Sequence, residues 1–239
     1  MDATYTAAYS RLYREHWWWR SRERILLHKI DQLLAAKRDA RILDVGCGAG
    51  LFFDALEAYG HVEGIESDRI AVEQSGRWRP RIHVGEMASF QSAAPYDLIL
   101  MLDVLEHLQQ PEFLLGQCVE RLAAGGAMII TVPAFDWLWT AHDDLNQHVK
   151  RYTAAEMARL VRASGMDVVE MRYMFQSLVV PKLMVRVKEA ISTAPAAVPH
   201  VPQRLLNQGL AAWFRFENAI AGWLPFGSSV VVIARRVTR

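Results

Sequence analysis

The chain has 239 residues, 27 basic and 26 acidic, which suits one large domain or a domain with an insertion and offers no basic footprint for nucleic acid. Its two cysteines, Cys47 and Cys118, form neither a disulfide framework nor a CxxC pair, which points to a reducing, cytoplasmic setting. The N-terminus lacks the apolar core of a signal peptide, and no uncharged apolar run reaches the roughly 18 residues of a spanning helix.

Residues 1–40 read as an N-terminal helical cap. Within it "EHWWWRSRERIL" (Glu15 to Leu26) sets Trp17, Trp18 and Trp19 side by side. Each helical step turns about 100°, so three adjacent rings need more than one neighbouring surface. Arg11, Arg14, Arg20, Arg22 and Arg24 read as a solvated helix face.

From residue 41 to 174 short apolar strands alternate with helical stretches, the pattern of an α/β sheet. "RILDV" is followed by a glycine turn and the helix-like "LFFDALEAYG". "HVEGIE" and "RIHV" give two further strands, and "YDLILML" a buried central one. The helix "PEFLLGQCVERLAAGG" is expected to stop at its Gly-Gly, with "AMIITVP" as the fifth strand. "TAAEMARLVRASG" is a helix with Thr153 as N-cap and Gly165 past its C-terminus; "MDVVEMRY" is strand six. Residues 175–226 form a helical insert, "SLVVPKLMVRVKEAI" and "RLLNQGLAAWFRFENAIAGWL" joined by "STAPAAVPHVP", before a final strand within 227–239.

"DVGCGAG" follows a strand and opens a helix, the context of a nucleotide-type turn. Its Gly46-x-Gly48-x-Gly50 spacing is not the GxGxxG of pyrophosphate sites. Asp44 before the turn would repel phosphate and attract a ligand ammonium. Glu66, at the end of the second strand, suits hydrogen bonds from two ribose hydroxyls.

"ILDVGCGAG", "GIES", "YDLILMLDVLEHL" and "LAAGGAMIITVP", in that order, resemble class I S-adenosylmethionine-dependent methyltransferases. The resemblance implies a Rossmann-like seven-stranded sheet, mostly parallel with the last strand antiparallel, here carrying a helical insert before that strand. It implies S-adenosyl-L-methionine as cofactor and S-adenosyl-L-homocysteine as product. Asp44, Gly46, Cys47 and Gly48 would surround the amino-acid end, and Glu66 with Ser67 the ribose. Glu86 and Met87 would border the adenine, and Leu102 the methionine portion. "WWW…LHKI…LDVGCG", with "LEHL" and a later "HD", is also similar to ubiquinone-biosynthesis O-methyltransferases, which act on lipid-tailed hydroxyaromatics. The basic residue meeting the cofactor carboxylate there matches Arg24 best and Arg20 second.

Methyl transfer is an in-line displacement, so the protein aligns the acceptor and excludes water, and a base matters when a hydroxyl must lose its proton. His107 in "VLEHL" has either an architectural or an acceptor-facing role. "TAHDDLNQHVKRYT" (Thr140 to Thr153) follows strand five, where open α/β sheets put substrate loops. It is either a solvated loop or a site with His142 or His148 as base and Asp143 orienting an imidazole. Asp143, Arg151 and Tyr152, together with Trp17 and Trp18, are candidate acceptor contacts. A metal reading, His142 with Asp143 and His148, lacks the spacing of a defined site, and no metal is expected.

The expected function is transfer of a methyl group to a small molecule, with oxygen of an apolar or aromatic acceptor preferred. N-methylation, or C-methylation of a prenyl or alkene acceptor beside cation-stabilising rings, fits the same scaffold; a non-catalytic cofactor- or lipid-binding role is the other class. The insert reads as a sheet-edge cover or homodimer surface, or as a lid that makes an apolar tunnel or touches the inner membrane face.

Overall fold

The computed structural model describes residues 3–191 and 199–237, with side chains from Tyr9 onward; most of the Pro/Ala linker, 192–198, lies outside the described residues. The N-terminal segment forms two helices, α1 (Ala3–Glu15) and α2 (Trp17–Leu34), broken at His16. His16 is extended and caps α2 by accepting the Trp18 N–H on Nδ1 (3.1 Å), which satisfies one of the donors a helix start leaves open. The three tryptophans then meet three surfaces. Trp17 stacks on Phe214 of the insert (4.6 Å between centroids), Trp18 lies against Phe175, and Trp19 turns its ring to Tyr9 of α1.

Seven strands follow: β1 (Ala40–Val45), β2 (Gly60–Glu66), β3 (Ile82–Val84), β4 (Tyr96–Leu102), β5 (Leu122–Pro133), β6 (Met166–Met174) and β7 (Ser229–Arg236). They form one sheet in the order β3-β2-β1-β4-β5-β7-β6. Only β7 is antiparallel to its neighbours. The expected mostly parallel sheet with an antiparallel last strand is therefore present. Side chains alternate across it as strand geometry requires: Leu98 and Leu100 join the core with Leu26, Ile30 and Phe53, while Ile99 and Met101 join the one with Leu115, Met128 and Met157.

The connections are α3 (Phe53–Leu56), α4 (Arg69–Glu73), α5 (Pro111–Arg121), α6 (Ala141–Leu145) and α7 (Ala154–Ala163). At α7, Thr153 and Glu156 make a reciprocal capping box, and Gly165 ends the helix at φ +84°. One boundary differs from expectation. Helix α5 stops at Arg121, before the Gly-Gly, and Leu122 already pairs with Tyr96 of β4. Gly125, at φ +72°, lets the strand step through the register shift that follows.

Between β6 and β7 the chain forms α8 (Val179–Ile191) and α9 (Arg204–Ile220). Because β6 runs parallel to β5 and β7 runs back, this excursion leaves and re-enters at the carboxyl edge of the parallel strands. No helix among the described residues is long and apolar enough to cross a membrane.

Candidate active site

The carboxyl edge concentrates unusual backbone. Asp103, Phe135 and Phe175, just past β4, β5 and β6, all sit near φ +60°, a conformation that side-chain-bearing residues seldom adopt. Beside them the glycine turn closes off β1. Gly46 and Cys47 donate their N–H groups to the Ile65 carbonyl (2.8 and 3.2 Å), tying the turn to β2. A Cβ on Gly46 would come within 2.6 Å of Val104, whereas at Gly48 it would meet open space. Gly48 instead donates its N–H to Glu66 Oε2 (2.8 Å), whose other oxygen accepts the Asp68 N–H (2.8 Å). Ser67 is exposed and leans on Glu66 at 3.4 Å.

A cavity of about 60 Å³ lies over this turn, lined by Asp44, Gly46, Cys47 and Leu102 from the sheet and by Tyr9, Tyr13, Trp19 and Arg22 from the N-terminal helices. Asp44 is buried at its wall. Desolvation raises its carboxyl to about 7, against the pull of the Arg22 charge and with a push from Glu66. Burial also raises the Cys47 thiol well above its ordinary value, so it is a neutral lining group.

The cation facing Asp44 is Arg22, not Arg24. Arg22 is buried and reaches Asp103 (2.8 Å) and Thr131 Oγ1 (2.8 Å), and Thr131 in turn donates to Asp103 (2.9 Å). Arg24 is exposed, and Arg20 pairs with Glu23 at the surface. The reason is helical phase: Arg22, Leu26, Lys29 and Ile30 share the buried stripe of α2, and Arg24 lies about 200° away. The same phase corrects the tryptophans. Trp19 lines the cavity, whereas Trp17 is committed to Phe214 and Trp18 to Phe175 and the Arg22 guanidinium. Glu86 is exposed beyond β3, but Met87 turns into the core and its carbonyl accepts from Arg121 (3.2 Å).

The segment after β5 is organised around a buried carboxylate. Asp143 accepts from Arg151 Nε and Nη2 (2.9 and 2.8 Å), from the Thr140 N–H (2.8 Å) and from His148 Nδ1 (2.9 Å). Burial opposes its charge, yet these hydrogen bonds hold the carboxyl well below the usual carboxylate range. Arg151 is wholly buried, and its remaining Nη1 donates to the Ala134 carbonyl (3.0 Å). Tyr152 is buried as well, with its hydroxyl on the Leu105 carbonyl (3.0 Å). Asp143, Arg151 and Tyr152, expected as acceptor contacts, are thus buried and bonded to protein partners. A bridge from Tyr152 to Ala134 draws the segment back beside β5 and buries it.

His148 is what this scaffold positions. An ionised Asp143 only accepts, so Nδ1 carries a proton, and in the neutral ring the lone pair is on Nε2. Its ring stands edge-on to His107 (4.9 Å), and burial beside His148 lowers the His107 imidazole. At His142, burial, then the Lys182 charge, lowers the imidazole to about 4. Glu106 is wholly buried with neither carboxyl oxygen hydrogen-bonded among the described residues, and burial with the Asp103 charge raises it well above its ordinary value. Donor atoms of Glu106, His107 and His148 lie within 4.8 Å of one another. The His142, Asp143 and His148 grouping considered from the sequence is not assembled, because Asp143 spends its oxygens on Arg151, Thr140 and His148.

This donor set is that of an amino-acid and nucleoside ligand: a carboxyl for an ammonium, a cation for a carboxylate, a glycine turn with open space and an acid at the end of β2. The comparisons agree. Residues 18–171 match the family model described as "Methyltransferase domain". A ubiquinone biosynthesis O-methyltransferase of Cupriavidus pinatubonensis is 27% identical over 188 residues, covering 66% of this chain and 76% of that protein. One from Maricaulis maris is 35% identical over 98 residues, 37% of this chain and 39% of its own length. Among solved structures, the N-methyltransferase NodS of Bradyrhizobium japonicum, in complex with S-adenosyl-L-homocysteine, superposes with a TM-score of 0.59 at 16% identity, covering 95% of this chain and 91% of that one. The chain belongs to the methyltransferase domain family and is an S-adenosylmethionine-dependent methyltransferase.

Proposed function

We propose that this enzyme methylates a hydroxyl of an apolar or aromatic small molecule, with His148 as the base. The observation that carries the reading is the Asp143–His148 pair (2.9 Å), which leaves Nε2 free to accept a proton at the carboxyl edge of the sheet. A hydroxyl acceptor needs such a base, whereas a neutral amine already carries its lone pair. The named relatives methylate oxygen, which supports the same choice.

When bound, S-adenosylmethionine supplies a methyl group on a sulfonium carbon with its leaving group built in. The chain's own residues then bind and orient. Asp44 receives the ammonium, and Arg22 the carboxylate. A cation beside Asp44 would return its carboxyl to the charged form that burial disfavours. Glu66 holds the ribose, the Gly46–Gly48 turn allows close approach, Leu102 borders the methionine portion and Glu86 the adenine edge. Trp19, Tyr9 and Tyr13 exclude water from above.

The test is turnover of a panel of hydroxyaromatic and amine acceptors by the full chain. His148→Gln is expected to lower kcat by about 10²- to 10⁴-fold while leaving cofactor affinity unchanged. Full turnover in His148→Gln, or preference for amines over hydroxyls, overturns the proposal.

A further inference from the structure

We propose that α8 and α9 dock the carboxyl edge of this enzyme onto an anionic lipid surface. The argument starts from the direction in which α8 is turned. Its polar side chains face the protein: Arg186 donates to the Trp137 carbonyl, Glu189 accepts the Ala141 N–H (3.1 Å), and Lys182 is half-buried within reach of the Asp143 and Arg151 charges. Residues 182, 186 and 189 share one side of a helix. The opposite stripe, Val180, Met184, Val187 and Ile191, is 63, 68, 62 and 83% exposed. An ordinary surface helix has the reverse orientation. Here the polar contacts lock the apolar stripe outward.

Helix α9 repeats the arrangement by a different route. Phe214 and Glu217 are buried on its inner side, where Phe214 meets Trp17 and Glu217 accepts the Ser177 N–H (2.7 Å). Leu205, Leu206, Trp213, Phe216 and Ile220 are all at least half exposed, and Trp223 just beyond is 80% exposed. Exposed large apolar side chains in this number on the two helices of one insert mark an interaction site.

Charge selects the occupant. With Arg186 engaged on the Trp137 carbonyl, the charged side chains that α8 and α9 expose are Lys188, Arg204 and Arg215; the two acids, Glu189 and Glu217, are turned inward. A second copy of the chain would set exposed basic side chains against exposed basic side chains with no acid of either helix between them. An anionic bilayer complements it, with Trp and aliphatic residues at the acyl boundary and Lys and Arg at the head groups. The helices have 13 and 17 residues, lengths suited to lying in an interface. Since the insert joins the sheet at its carboxyl edge, docking brings the active site to the lipid surface, where an apolar acceptor is concentrated.

Flotation of the full-length protein with phosphatidylcholine vesicles, and with vesicles containing phosphatidylglycerol, tests this. Binding is expected to the anionic vesicles and to weaken with salt. Met184→Glu with Val187→Glu, or Phe216→Glu with Ile220→Glu, is expected to abolish it while S-adenosylhomocysteine affinity is retained. Lys188→Gln, which removes charge without touching the apolar face, is expected to reduce partitioning about fivefold. It keeps the test valid if a double variant fails to fold. Absence of binding to anionic vesicles overturns the proposal. So does a dimer in sedimentation that Met184→Glu with Val187→Glu dissociates, without vesicle binding by the native chain. Retained cofactor affinity separates either failure from failure of the methyl-transfer reading.

Discussion

At the scale of single residues, the Asp143–Arg151 pair sets the stability of the active-site edge. Both side chains are 1% exposed, so removing one charge strands the other in a dry environment. Asp143→Asn is expected to cost about 3–5 kcal/mol in urea unfolding, and pairing Asp143→Leu with Arg151→Met to cost less than the single change. The pH dependence has a definite sign. The native Asp143 carboxyl lies below its unfolded value, so its contribution is complete above the ordinary carboxylate range and is lost as pH falls through the native value. Asp44 and Glu106 are raised and act oppositely, weakening the fold as pH climbs from the unfolded carboxylate value toward about 7 at Asp44. Comparing acid unfolding of Asp143→Asn with that of the parent isolates the first effect: the variant should lack the low-pH loss. The density of functional groups from Thr140 to Thr153 was legible in the sequence, as was the pairing of an imidazole with Asp143. Burial of Arg151 and Tyr152 was not, because it depends on a bridge to Ala134 that no local pattern announces. Arg22 was within reach, since the i, i+4, i+7 stripe through Leu26 and Lys29 contains it and omits Arg24.

At the scale of elements, the link between the cap and the insert is the stack of Trp17 on Phe214, ring planes 13° apart, closed by Phe175 edge-on to Phe214 (5.6 Å). Asn207 adds polar registration: its Oδ1 accepts the Trp17 N–H (2.9 Å) and its Nδ2 donates to the Glu15 carbonyl (2.8 Å), capping the junction of α1 and α2 from the insert. Trp17→Ala opens a cavity between two helices that few other apolar groups can fill. It is expected to cost about 3–5 kcal/mol and to loosen α9 more than the sheet, which hydrogen exchange of the α9 amides measures. The strands and most helices were legible because alternation and capping are local. The end of α5 was misplaced because Leu122 is claimed by pairing with Tyr96, a tertiary demand that overrides the Gly-Gly stop. The three tryptophans announced more than one neighbour, but not that the insert is one of them.

At the scale of the molecule, the seven-stranded sheet brings Asp44, Glu66, Leu102, Asp103 and the segment from Thr140 to Thr153 to one edge, and the N-terminal helices lie across it. The cavity they leave, about 60 Å³, is well below the roughly 300 Å³ at the small end of ligand pockets. Tyr9, Tyr13 and Trp19 supply its outer wall, and Arg22 ties that wall to Asp103. A seven-stranded, mostly parallel sheet was readable through the resemblance its motifs carry; this closure was not, because it depends on how two helices pack after the chain has folded. Admission of the cofactor is therefore expected to involve α1 and the first turns of α2 swinging outward, a gating step distinct from encounter. Stopped-flow tryptophan fluorescence with S-adenosylhomocysteine follows it, with Trp19→Phe identifying the signal of the cavity wall. In the full chain the observed association rate is expected to level off as ligand concentration rises, at the opening rate of the helices. In a chain lacking residues 1–15 it should rise linearly, with faster dissociation because Tyr9 and Tyr13 no longer cover the ligand. Linear dependence in both proteins would show that the helices do not gate the site.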